Sequence, residues 1–417
     1  MTIPVPTIEL LPLKPGLRAH QPSDLTVLIR LHAPVLVHTA RPRPPLNLAL
    51  VIDRSGSMAG HPLQMAKEAA QAAVRQLDPE DRVSIVTFDD AVQVVVPSTL
   101  VNDQKAILKA TQGIRSGGST ALHAGWFAGA SEVASHLQAA ALNRVLLLTD
   151  GQANVGLQRL GDIAPQVQGL AQRGVSTSAI GLGAHYDEDL LLGLATAGDG
   201  NFEHVEDPAK LPSFFESELQ GFSRTFGRTV SLGLEPNPEF GVTVADVLND
   251  LPRNTFGRLQ LPNLQGAQPI DVVTRLQVPA QPGRGGPLGL MRVRLAWDDA
   301  QGRQRLRAQL DLPVLDESAY AALTPDPQVQ EVTALLEAAR LKRQSMDALD
   351  RGDRVVAESH LRSAARLVQA APMSPGTLAE SAALDALSAD LSAEDDAQLR
   401  KRALSQAYDR TRSKPRR

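Results

Sequence analysis

Residues 46–58 read Leu46-Asn-Leu-Ala-Leu-Val-Ile-Asp53-Arg-Ser55-Gly-Ser57-Met58, an apolar run that ends in a carboxylate and two alternating hydroxyls. A continuous apolar run of this length predicts a strand buried on both faces, as in a parallel sheet. The carboxyl end of such a strand opens into the crevice where parallel sheets bind ligands. Gly56 lets the backbone bend, so that Asp53, Ser55 and Ser57 can turn toward one point. Oxygen ligands of low total charge suit a hard cation such as Mg²⁺.

The composition is that of a globular protein with room for two or three domains. The chain has 417 residues, of which 43% are hydrophobic and 21% are charged. Its formal net charge of −4 argues against nucleic acid as a general partner. It contains no cysteine, which excludes disulfides, thiolate catalysis and cysteine metal sites. The sequence shows neither a signal peptide nor an apolar run of membrane-spanning length, so we expect a cytoplasmic protein without membrane contact.

Strand-like and helix-like segments alternate from Leu46 to about Phe226. This alternation predicts an α/β domain (residues 46–226) with a doubly wound, mostly parallel, Rossmann-like sheet. Within it, Leu122–Ala140 predicts an Ala-rich helix and Pro208–Phe226 predicts the last helix. Asn102 is expected to cap the helix that ends near Gly113.

The segments on either side of this domain predict β-structure. Residues 1–45 contain two strand-like runs, around Thr7–Leu11 and Leu25–Leu36. Residues 227–315 contain short strands separated by Pro, Gly and Asn. This spacing favours an antiparallel β-sandwich that is discontinuous in sequence and built from both segments. Residues 326–417 predict a C-terminal helical module, whose charged tail from residue 372 onward we expect to fray or to dock on a partner.

Two further polar groups fall where a buried strand ends or a helix begins. Thr120 follows the tight turn Gly117-Gly118-Ser119, and Thr149-Asp150-Gly151 follows another buried strand. Because the carboxyl ends of parallel strands meet at one edge of a sheet, we expect these groups to approach Asp53. The alternative is that these carboxylates cap helices and that the hydroxyls only form turn hydrogen bonds.

Taken together, these polar groups resemble the metal-ion-dependent adhesion site (MIDAS) of bacterial von Willebrand factor type A domains. The resemblance is carried by Asp53-x-Ser55-x-Ser57, Thr120 and Thr149-Asp150-Gly151. The resemblance covers about Leu46–Phe226 and includes the later motif Gly198-Asp-Gly-Asn-Phe202. It implies that a divalent ion is held by the side chains of Asp53, Ser55, Ser57, Thr120 and Asp150. By the same resemblance, Ser55 and Ser57 bind directly, whereas Thr120 and Asp150 alternate between direct and water-mediated contact.

A cation held by three hydroxyls and few directly bound carboxylates is incompletely neutralised, so an acidic side chain of another protein can complete its coordination. We therefore expect a metal-dependent protein–protein interaction module or scaffold rather than an enzyme. Mg²⁺ is the expected ion, with Mn²⁺ and Ca²⁺ as alternatives. The partner would supply Asp or Glu to the metal, and an AAA+ ATPase is a candidate because relatives are often paired with one.

Gln152, Asn154 and Asp187 are candidates for the rim of the ligand groove, although Asp187 equally suits the N-cap of the next helix. Asp89-Asp90 predicts a turn between strands. Two other functions remain open. A metal-dependent phosphohydrolase would use Asp53 as nucleophile, but it usually needs a second carboxylate where Ser55 stands. A structural α/β protein would have no metal role.

Overall fold

The computed structural model describes residues 5–34, 44–138, 141–223, 225–254, 256–266, 268–283, 286–299, 301–393 and 396–412. The chain forms two compact units. One unit is residues 38–224, and the other combines residues 1–37 with residues 225–417. Each unit is described by itself below.

The chain begins with three strands of the second unit. They are β1 (Thr7–Pro12), β2 (Leu17–Arg18) and β3 (Ser23–His32). β1 and β3 pair antiparallel in register from Thr7↔His32 to Pro12↔Val27. The second predicted strand extended to Leu36, and its last residues lie outside the described part of the chain.

The α/β unit alternates strands and helices, as the sequence predicts. Its strands are β4 (Leu46–Asp53), β5 (Arg82–Phe88), β6 (Val92–Leu100), β7 (Leu142–Thr149), β8 (Val175–Leu182) and β9 (Asp199–Val205). Its helices are α1 (His61–Arg75), α2 (Gln104–Gln112), α3 (Leu122–Ala134), α4 (Leu160–Ala171), α5 (Glu188–Ala197) and α6 (Leu211–Ser223).

The sheet of this unit has the order β6-β5-β4-β7-β8-β9 and is parallel except for β6, which runs antiparallel at one edge. This confirms the predicted doubly wound, mostly parallel fold. All eight residues of β4 are buried, because helices cover both faces of a parallel sheet. β4 and β7 are neighbours and run in the same direction, so Asp53 and Thr149 end their strands at the same edge.

Three predicted helix limits in this unit were wrong. The helix predicted over Leu122–Ala140 ends at Ala134, where Asn47 Nδ2 donates to Val133 O at 2.9 Å and so caps the last turn. Asp103, not Asn102, caps α2 by accepting a hydrogen bond from Ala106 N–H. The last helix ends at Ser223, since the next strand begins at Thr225.

The second unit contains a β-sandwich. Its remaining strands are β10 (Thr225–Pro236), β11 (Thr243–Val247), β12 (Leu259–Gln260), β13 (Leu264–Gln265), β14 (Ile270–Val278), β15 (Leu288–Asp299), β16 (Gly302–Leu312) and β17 (Val314–Leu315). One sheet has the order β1-β3-β14-β11 and the other has the order β12-β10-β15-β16. Val27 and Ile29 of one sheet share a buried core with Val293 and Leu295 of the other.

Five helices follow in the described sequence. They are α7 (Glu317–Ala321), α8 (Pro327–Asp350), α9 (Arg354–Ala370), α10 (Pro375–Ser392) and α11 (Asp396–Thr411). α8 covers the outer face of the first sheet, where Leu336 packs with Leu28 and Val273. An ion pair between Arg340 and Asp246, at 2.7 Å, also joins α8 to this sheet.

The prediction of a fraying or partner-docked tail from residue 372 was wrong for the described residues. α10 and α11 pack on α8 and α9 around a shared apolar core that includes Leu361, Leu387 and Leu399. Ser374 forms a capping box with Thr377 at the start of α10, which satisfies backbone groups there. Among the described helices, none combines the length and apolar character that a membrane span requires.

Replacing Leu336 with alanine should lower the free energy of unfolding by about 2–4 kcal/mol, because it leaves a cavity between α8 and the first sheet. Leu336 is 1% exposed. Chemical denaturation measures the change. Leu378→Ala is the matched control, since Leu378 is 57% exposed and its loss should cost less than about 0.5 kcal/mol. Equal losses in the two variants would contradict the packing of α8 on the sheet.

Candidate functional site

The loop after β4 places three side-chain oxygens together. Asp53 is fully buried at the end of β4, and its Oδ1 accepts a hydrogen bond from Ser55 N–H at 2.7 Å. A short 3₁₀ turn over Gly56–Met58 follows, with Met58 buried beneath it. This turn brings Ser57 Oγ to 3.2 Å from Ser55 Oγ. The alternating Asp-x-Ser-x-Ser pattern therefore becomes a compact group of oxygens.

The end of β7 adds a second carboxylate to this group. Ser57 Oγ donates to Asp150 Oδ1 at 2.6 Å. The hydroxyl of Thr149 donates to Asp53 Oδ2, and Thr149 Oγ1 in turn accepts from Gly151 N–H at 3.2 Å. Because β4 and β7 are adjacent parallel strands, these contacts follow directly from the register of the sheet.

Thr120 reaches the same group from the loop before α3. It is 4% exposed, and its backbone N–H donates to Asn154 Oδ1 at 2.7 Å. The glycine after Asp150 locates the common point: a Cβ on Gly151 would lie 3.4 Å from Thr120 Oγ1, 3.5 Å from Ser57 Oγ and 4.0 Å from Asp53 Oδ2. Any side chain at residue 151 would therefore occupy the space on which these oxygens converge.

The structure thus brings together the side chains of Asp53, Ser55, Ser57, Thr120 and Asp150. Two carboxylates and three hydroxyls are hard oxygen donors of the type that Mg²⁺, Mn²⁺ and Ca²⁺ accept. Among the described residues, no group of three or more His, Cys, Asp or Glu forms a metal cluster. A cation at this edge would therefore depend on hydroxyl ligands. The residues present fit a hard divalent ion.

Both carboxylates carry a charge that the protein alone stabilises poorly. Burial raises the pKa of Asp53 to about 6, although hydrogen bonds from Thr149 and Ser55 oppose the shift. Burial also raises the pKa of Asp150, against the hydrogen bond from Ser57 and the nearby charge of His185. A positive charge between the two carboxylates would stabilise their ionised forms.

Asp89 is a site-supporting residue that sequence reasoning missed. Its side chain is buried, pairs with Arg54 Nε at 3.2 Å, and accepts a hydrogen bond from Gly118 N–H at 3.4 Å. A Cβ on Gly117 would collide with the Asp89 carboxylate, so glycine is required there. Asp89 therefore ties the Asp53 loop to the Thr120 loop. Its position at the end of β5, next to the end of β4, was the available signal.

The three residues predicted for the rim of the groove have different surroundings. Gln152 is exposed, two residues after Asp150. Asn154 clamps the Thr120 loop, since Asn154 N–H also donates to Thr120 O at 3.1 Å. Asp187 is the N-cap of α5 and accepts a hydrogen bond from Leu190 N–H at 2.9 Å.

The raised pKa of Asp53 makes the metal-free protein less stable as the pH rises. Its pKa is 3.8 ordinarily and about 6 when folded, so stability present below pH ~4 is lost as the pH rises through ~6. In chelator, the free energy of unfolding should fall by about 1 kcal/mol or more between about pH 5 and about pH 7.5. The isosteric variant Asp53→Asn should lose less over this interval. Identical pH profiles of the two proteins would contradict the assignment.

The α/β unit matches a known family of domains. The sequence profile of the von Willebrand factor type A domain matches residues 47–217. An uncharacterized protein of Synechocystis sp., sll0103, is 27% identical over 339 residues, which are 78% of this chain and 79% of that protein. The human inter-alpha-trypsin inhibitor heavy chain H3 is 27% identical over 222 residues, which are 51% of this chain but only 24% of the human protein.

A solved structure shares the fold over most of the chain. It is a von Willebrand factor type A protein from Catenulispora acidiphila, with a TM-score of 0.71 and 20% identity, covering 93% of this chain and 89% of that one. The profile match lies on the α/β unit, whose sheet edge carries the five oxygen side chains. The chain therefore contains a von Willebrand factor type A domain in residues 47–217.

Proposed function

We propose that this protein is a metal-dependent interaction module that binds an acidic side chain of a partner protein at the edge of its type A domain. One observation carries the proposal: Asp53, Ser55, Ser57, Thr120 and Asp150 meet at one point. Type A domains commonly mediate metal-dependent protein interactions, which supports extending this role to the present chain.

The burial of the five side chains supports access from one side. Asp53, Ser55 and Thr120 are buried, whereas Ser57 is exposed and Asp150 is partly exposed. The buried groups would hold a divalent ion from below, and the exposed groups would face a partner. A bound Mg²⁺, Mn²⁺ or Ca²⁺ would supply a positive charge with an open coordination position for the partner's carboxylate.

We propose binding rather than catalysis as the role of this site. Ser55, two residues after Asp53, stands where a phosphohydrolase would usually place a carboxylate as general acid. Its hydroxyl contacts Ser57 instead. Thr149 donates to Asp53 Oδ2 and Ser55 N–H donates to Asp53 Oδ1, so both oxygens of this carboxylate are already hydrogen-bonded.

Adding Mg²⁺ or Mn²⁺ should raise the melting temperature of the wild-type protein, because a ligand that binds only the folded state stabilises it. The expected gain is about 2.7 kcal/mol when the metal concentration is about 100 times the dissociation constant. Asp150→Asn should abolish most of this gain. Asp90→Asn, which removes one exposed carboxylate near the Thr120 loop, should retain it. No gain in the wild type would refute the metal site.

Partner binding should require both the metal and Asp150. Immobilised wild-type protein is incubated with lysate in Mg²⁺ or in chelator, beside Asp150→Asn and the control Asp90→Asn. Proteins retained only by wild type and Asp90→Asn in Mg²⁺ are the expected partners. Their binding should be lost when the contacting Asp or Glu is replaced by Asn or Gln. Identical retention with and without chelator would contradict the proposal. An AAA+ ATPase is one proposed class of partner.

A further inference from the structure

The outer face of the second sandwich sheet is rich in arginine. Directly opposed residues of antiparallel strands lie on the same face, and the register of β15 with β16 opposes Arg294 to Arg307, Ala296 to Arg305 and Asp298 to Arg303. Arg292 belongs to the same face, opposite Gln309. We call this surface the arginine face and define it by Arg258, Arg292, Arg294, Arg303, Arg305 and Arg307.

The positive charge of this face is only partly balanced. Arg294 pairs with Glu235 at 2.8 Å and Arg303 pairs with Asp298 at 3.1 Å. Arg305 and Arg307 are exposed, and among the described residues no hydrogen bond or ion pair involves either side chain. Like charges placed directly opposite each other destabilise a sheet. Glu235 compensates the charge of Arg294, whereas Arg307, directly opposite Arg294, has no such partner among the described residues.

The middle of the arginine face is formed by residues with small side chains. Gly233 is opposite Arg294, and Ser231 is opposite Ala296, so the central positions carry small side chains. The side chain of Arg258 lies next to Gly233, with its Nε 3.8 Å from the position that a Cβ on Gly233 would take. Gly233, Ser231 and Ala296 are themselves buried, so a bound chain would contact the guanidinium groups rather than the backbone of the sheet.

An exposed aromatic side chain stands at the margin of the face. Phe256 is 85% exposed, two residues before Arg258. Asn254 holds its backbone, since Asn254 Oδ1 accepts hydrogen bonds from Phe256 N–H and Arg258 N–H, both at 3.0 Å. Aromatic and arginine side chains are enriched at protein-binding surfaces.

We infer that the arginine face binds an acidic, extended segment of a partner protein, whose carboxylates pair with Arg305, Arg307 and Arg294 and whose apolar side chain contacts Phe256. Guanidinium groups bind carboxylates through two parallel hydrogen bonds, which suits a face with arginine and no lysine. Protein is favoured over single-stranded nucleic acid because the face of the sheet offers no aromatic platform for base stacking.

Protection of a sheet edge does not explain the whole cluster. Charged side chains on an edge strand such as β16 discourage aggregation, which would account for Arg305 and Arg307. However, Arg292 and Arg294 lie on β15, which is paired on both sides by β10 and β16. The inference also stands apart from the metal site, since none of these residues belongs to the type A domain.

The test uses the full chain in chelator, so that the metal site does not contribute. Binding of a fluorescein-labelled oligoglutamate with one internal leucine is followed by anisotropy. Arg305→Glu with Arg307→Glu should weaken binding at least about tenfold, and the milder Arg305→Gln with Arg307→Gln should weaken it in the same direction. The control pair Arg351→Glu with Arg366→Glu changes net charge equally at exposed residues of the helical module and should change the affinity less than about twofold.

Circular dichroism and the melting temperature establish that each variant is folded. Three results would overturn the inference: no binding by the wild type, equal weakening by the control pair, or tighter binding of an oligothymidylate of equal charge. The last result would identify the face as a nucleic-acid surface. Because the assay contains chelator, failure here leaves the metal-dependent function untouched, and failure of that function leaves this inference untouched.

Discussion

The buried carboxylate of Asp53 is the constraint on which the site depends. A fully buried ionised carboxylate costs several kcal/mol unless hydrogen bonds or an opposite charge compensate it. Here Ser55 N–H and the Thr149 hydroxyl supply hydrogen bonds, yet the pKa of Asp53 still rises to about 6. The remaining deficit is electrostatic, and a cation bound by the convergent oxygens around Asp53 would remove it. A protein that needed only a stable strand end would place an apolar residue there.

The fold and the five site residues could be predicted because each depended on local sequence. β4 is an uninterrupted apolar run, and a parallel strand buried on both faces requires such a run. Asp53 is the last residue of β4 and Asp150 directly follows β7, so adjacency of β4 and β7 was enough to bring them together. The general rule for strand ends of parallel sheets predicted that these groups would approach one another, whereas the resemblance to type A domains implied the set of five ligands.

Other features depended on contacts that the sequence does not display. Asp89 looks like a turn residue, and its role appears only when Arg54 and Gly118 lie beside it. The end of α3 is set by Asn47, more than eighty residues earlier in the chain. α10 has little amphipathic pattern of its own, so its sequence alone does not mark a buried face. Its apolar residues become part of a core when α9 and α11 pack against them. Tertiary packing overrode local propensity in each case.

The most direct measurement is an anomalous difference map from a crystal grown with Mn²⁺ and recorded at the manganese absorption edge. A single strong peak within coordination distance of the oxygens of Ser55 and Ser57, next to Asp53, Thr120 and Asp150, is the expected result. Its loss in a crystal of Asp150→Asn would agree with a shared site. A map without a peak at this edge of the sheet, or with its peak elsewhere on the protein, would contradict the central claim.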